Sequence, residues 1–101
     1  MTERTYRALS TRGRSMVEEL RAYVCAESGS LDKPGVDRAG RLAADALSGV
    51  GFAVETIPQP DRGDHLVARR AGGGSGRLLA LIHLDTVWPR GTLECPVWMR
   101  C

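Results

Sequence analysis

At Gly51 the spacing of apolar residues changes, and with it the kind of structure the chain can adopt. Before it, apolar residues recur every three to four positions: Met16, Val17, Leu20, Tyr23 and Val24 in one run, then Val36, Ala39, Leu42, Ala43, Ala46, Leu47 and Val50 in a second. That spacing puts an apolar stripe on one side of a helix, with Glu18, Glu19 and Arg21 largely on the other side of the first. Ser15 stands where an N-cap would begin the first helix, Ser28-Gly29-Ser30 interrupts it, and Pro34-Gly35 punctuates the loop before the second. Gly51 sits where a helix ends in the left-handed conformation that glycine adopts without strain, so the second helix is expected to stop near Val50. Beyond Gly51 the period is two, through Phe52, Val54 and Thr56-Ile57, which predicts a strand ending at the turn over residues 58–63. Residues 64–70, with Leu66 and Val67, predict a second strand, antiparallel to the first because the connection is short.

Residues 77–84 are apolar on both faces, as a central strand covered by helices on both sides would be. The Gly72-Gly73-Gly74-Ser75-Gly76 loop before them lacks the Gly-Lys-Ser/Thr ending of a phosphate-binding loop and is read as a connection between strands. The expected fold class is α/β: two amino-terminal helices followed by three strands of a mixed sheet.

A chain of 101 residues makes at most one domain with a modest core, and 43% apolar with 26% charged residues argues against wholesale disorder. Residues 1–14, with Arg4, Arg7, Arg12 and Arg14, are read as a flexible basic lead-in, and residues 15–101 as the packed portion. A net charge of +2 with no nucleic-acid motif accompanying the arginines predicts no nucleic-acid partner. No secretory-type apolar stretch follows Met1, and the longest strictly apolar run has five residues, residues 78–82, against about 20 for a membrane span. A soluble, cytoplasmic protein with no membrane partner is expected. Cys25, Cys95 and Cys101 form no paired spacing, so reduced thiols are expected, with Cys25 in the core and the other two in an exposed tail.

The apolar run ends in His83-Leu84-Asp85. On a strand, residues two apart project to the same face, so His83 and Asp85 would share one face while Leu84 points to the other. A carboxylate on one ring nitrogen fixes the imidazole tautomer and leaves the other nitrogen for a metal. Spacing alone also permits a plainer arrangement, in which His83 is a hydrogen-bonded core histidine and Asp85 caps the turn before Trp88-Pro89.

The run Ile82-His83-Leu84-Asp85-Thr86-Val87-Trp88-Pro89-Arg90-Gly91-Thr92-Leu93 resembles the first metal-ligand motif of the zinc aminoacylase and carboxypeptidase family. That family includes glutamate carboxypeptidase, acetylornithine deacetylase and succinyl-diaminopimelate desuccinylase, and the Trp-Pro-x-Gly-Thr-Leu continuation is most similar to the glutamate carboxypeptidase branch. Two further blocks agree in order and separation: Glu27-Ser28-Gly29-Ser30 with Lys33-Pro34-Gly35-Val36-Asp37, and Gly63-Asp64-His65-Leu66-Val67-Ala68-Arg69-Arg70. Ile82 stands where many members have glycine. The resemblance implies that His83 is a ligand of one of two zinc ions and that Asp85 orients it. His65 corresponds to no ligand. The family's remaining ligands and general base fall after the matched region, so the resemblance implies an amino-terminal portion of a zinc-exopeptidase catalytic domain, inactive alone. The complete enzyme's substrate would be a small peptide or an N-acyl amino acid. The alternative is a non-catalytic interaction module that uses exposed sheet edges; self-association is expected of the incomplete domain.

Overall fold

One helix, α3 (Lys33–Gly49), is the element against which the others pack: helix α2 (Gly13–Ala26) and both strands of a hairpin, β1 (Ala53–Ile57) and β2 (His65–Arg69), contact it in the computed structural model, which describes residues 2–94. The start of α3 is built by Asp32, whose Oδ1 accepts the Gly35 amide at 3.1 Å, and by Pro34, which sits where an intrahelical N–H is not needed. Its buried face carries Val36, Ala39 and Ala43, small side chains that let neighbouring backbone approach closely. The helix ends as its sequence dictates, with Val50 as C-cap and Gly51 at φ 94°.

The hairpin pairs antiparallel, Ala53 opposite Arg69 and Ile57 opposite His65. Its turn is fastened to the first turn of α3. A Cβ on Gly63 would lie 2.1 Å from Val36 Cγ1, so only glycine allows this approach. Beside it, Lys33 Nζ donates to Asp64 Oδ1 at 2.7 Å and to the Arg62 carbonyl at 3.1 Å, and pairs with Asp37 Oδ2 at 3.1 Å. The Asp64 amide in turn donates to Asp37 Oδ1 at 2.8 Å.

Three expectations are corrected, and one helix is added to the reading of residues 1–14. Residues 1–14 are not without regular structure, since α1 (Glu3–Ser10) lies within them, begun by Thr2 Oγ1 accepting the Thr5 amide and joined by a Glu3–Arg7 ion pair. No residue of α1 is buried, so local capping and pairing, rather than packing against the rest of the chain, define it. Helix α2 starts at Gly13 rather than after Ser15, whose hydroxyl donates back to the Arg12 carbonyl.

The third strand is absent among the described residues, and the sheet is two-stranded and antiparallel rather than three-stranded and mixed. A strand exists through its ladder partners, and residues 77–83 have none there; Leu78 is 97% exposed and Leu81 85%. Apolar composition on both faces marks a segment that gains from being covered and does not supply the cover. The radius of gyration, 15.7 Å, accordingly exceeds the roughly 13 Å of a compact 100-residue domain.

Cys25 is disulfide-bonded, against the expectation of reduced thiols. Sequence spacing does not report which sulfurs meet in space. The expectations for Cys95 and Cys101 lie outside the described residues. Among the described residues no helix is long and apolar enough to cross a membrane.

Candidate metal-binding site

The loop between α2 and α3 meets the His83 segment edge to edge. Thr86 N donates to the Ser28 carbonyl at 2.8 Å and Ser30 N to the Thr86 carbonyl at 2.9 Å, a parallel bridge centred on Gly29 and Thr86. The buried Ser28 adds a hydroxyl bond to the Leu84 carbonyl at 2.7 Å. Gly29 admits this approach because a Cβ there would sit 2.8 Å from the Trp88 carbonyl oxygen. Leu84 turns inward toward Gly40 of α3, whose absent Cβ would be 4.0 Å from Leu84 Cδ1.

His83 and Asp85 come together as their spacing predicts, although by a single bridge rather than on a strand. Asp85 Oδ1 lies 3.4 Å from His83 Nδ1, and the His83 side chain is 93% exposed against 37% for Asp85. The other carboxylate oxygen, Oδ2, accepts the Ser30 hydroxyl at 2.6 Å. That bond, with a smaller contribution from His83, holds the Asp85 carboxyl below the ordinary aspartate range despite partial burial, which acts in the opposite direction. Among the described residues the His83 ring is not in the core.

Three residues with no assigned role in the sequence reading complete the junction. Glu27, left-handed at φ 50°, accepts the Gly91 and Leu93 amides on Oε1 at 3.0 and 3.4 Å. Asp32, the N-cap of α3, also receives Arg90 Nη2 at 2.5 Å, and these two interactions lower its pKa, the Gly35 amide contributing most. Ser30 is the third. Their partners across the junction lie 55 to 66 residues away, beyond any local pattern; the only sequence signal was the presence of Glu27 and Ser30 in a block that carries the resemblance.

Those blocks meet at one end of α3. Residues 27–32 bind residues 84–93, and Lys33 and Asp37 bind Asp64. His65 is the first residue of β2, beside Asp64, and among the described residues no group of three or more His, Cys, Asp or Glu side chains is placed to hold a metal ion.

Comparison with known proteins points to a carboxypeptidase-like relation. Over 81 residues the chain is 31% identical to Carboxypeptidase G2 of Pseudomonas sp. (strain RS-16), an overlap covering 78% of this chain and 20% of that relative. The chain thus spans about one fifth of the length of the curated relative it matches. No family model matches the chain, and no solved structure does.

Proposed function

We propose that this chain is an amino-terminal portion of the catalytic domain of a zinc-dependent metallo-exopeptidase or amidohydrolase of the glutamate carboxypeptidase type, in which His83 is a zinc ligand and Asp85 orients it. The observation that carries the reading is the Asp85–His83 contact, 3.4 Å from Oδ1 to Nδ1, within a junction that draws together all three resembling blocks. An acceptor at Nδ1 leaves Nε2, on an exposed ring, as the nitrogen that would hold zinc.

A catalytic zinc takes about three protein ligands and keeps a position for water. This chain contributes His83 to that set, so hydrolysis requires ligands and a general base beyond those described, and the 101 residues alone are inactive. When bound, the metal polarises the scissile carbonyl and lowers the pKa of its water. The substrates of the complete enzyme would be small peptides or N-acyl amino acids.

The test is a zinc titration followed through the ring resonances of both histidines. The reading expects weak binding that perturbs His83 before His65, no gain of structure, and loss of the preference in Asp85→Asn. Equal response of the two rings, or tight binding with large ordering, would contradict it.

A further inference from the structure

We propose that Ser30 is a positioning residue: its hydroxyl holds one oxygen of Asp85 so that the other faces His83. The functional meaning of this arrangement rests on the reading of His83 as a zinc ligand; the geometry does not. Residues 77–83 join no ladder, and the His83 ring is exposed, so neither sheet nor packing fixes the ring. A carboxylate has two equivalent oxygens and swings about its terminal torsion unless one of them is held.

Ser30 supplies the hold. Its hydroxyl lies 2.6 Å from Asp85 Oδ2, the short distance of a bond to a charged acceptor, and 3.0 Å from the Thr86 carbonyl. The shorter distance and the negative charge of the carboxylate direct the single hydroxyl proton mainly to Asp85. Ser30 is itself fixed by that amide bond and by the Ser28 bond to Leu84 on the same loop. With Oδ2 occupied, Oδ1 is the oxygen left facing His83 Nδ1. An acceptor that closes on Nδ1 from this 3.4 Å approach would keep the ring proton there and leave the lone pair on Nε2.

The experiment measures ring tautomers by nitrogen NMR in the zinc-free 101-residue chain, at a pH where both rings are neutral, with His65 as internal reference. His83 is expected to be enriched in the Nδ1–H tautomer relative to His65. Ser30→Ala should abolish the enrichment, Ser30→Thr should restore it, and Ser28→Ala, which removes a different tie on the same loop, should leave it. Zinc affinity, measured separately, should fall about tenfold in Ser30→Ala. An enrichment that survives Ser30→Ala, or that disappears equally in Ser28→Ala, would overturn the proposal by making Ser30 a loop staple. The expected tautomer pattern with no zinc preference for His83 would uphold the positioning role and reject the metal reading.

Discussion

Gly91 donates its amide to Glu27 Oε1 at 3.0 Å across 64 residues of sequence. The same glutamate occupies the left-handed region at φ 50°, which costs a non-glycine residue about 1–2 kcal/mol. The carboxylate, shared with the Leu93 amide, offsets that cost and fastens the end of the His83 segment to the start of the loop. Glu27→Ala is therefore expected to destabilise the chain by about 1–3 kcal/mol, and Glu27→Gln, which keeps the acceptor oxygen, by less. Urea melts give the magnitude, and faster hydrogen exchange at Gly91 and Leu93 gives the cause.

Gly63 should be intolerant of any side chain. A methyl group there would fall 2.1 Å from Val36 Cγ1 and 2.5 Å from its Cβ, so the hairpin turn and α3 must separate. Gly63→Ala is expected to cost about 1–3 kcal/mol, as overpacking does. Gly72→Ala, with open space around it, should stay within about 0.5 kcal/mol of the parent in the same melt.

Acid should loosen the attachment of the turn to α3. The Lys33 hydrogen bond, then the Gln59 amide, lower Asp64 below the ordinary 3.8. A carboxylate depressed in the folded state contributes stability above its unfolded value, and loses it as pH falls through the folded one. The urea midpoint is thus expected to fall below about pH 4, and Asp64→Asn to flatten that limb. At the alkaline end Lys33 is raised above 10.5, so its contribution is full below that value and lost above its folded pKa.

Self-association is expected through residues 78–82, whose leucines and isoleucine lie open to solvent. Sedimentation velocity without reductant, so that the Cys25 disulfide is kept, should show concentration-dependent oligomers, reduced by the double substitution Leu81→Lys and Ile82→Lys. A monodisperse monomer at all concentrations would favour a self-sufficient module.

Elements set by local chemistry were legible in the sequence. The end of α3 followed from Gly51, the hairpin from the change of period and the turn before Gly63, and the His83–Asp85 contact from two-residue spacing. What was illegible depends on partners distant in sequence. Residues 77–84 carry a strand's composition, but pairing decides whether a strand forms. The roles of Ser30, Glu27 and Asp32 are set by partners 55 or more residues away, and the Cys25 disulfide by the meeting of two sulfurs in space. Helix α1 was missed for the opposite reason, because Thr2 and the Glu3–Arg7 pair define it locally, with no residue of it buried.

The central claim, that His83 belongs to the zinc site of a carboxypeptidase-type enzyme, is tested most directly by exchange. The matching 81 residues of this chain would replace their counterpart in Carboxypeptidase G2, and the folded chimaera would be assayed for zinc-dependent release of a carboxy-terminal residue. The account predicts hydrolysis that falls at least a hundredfold in His83→Ala, together with loss of one bound zinc. A folded chimaera whose activity and zinc content are the same with alanine at position 83 would contradict it.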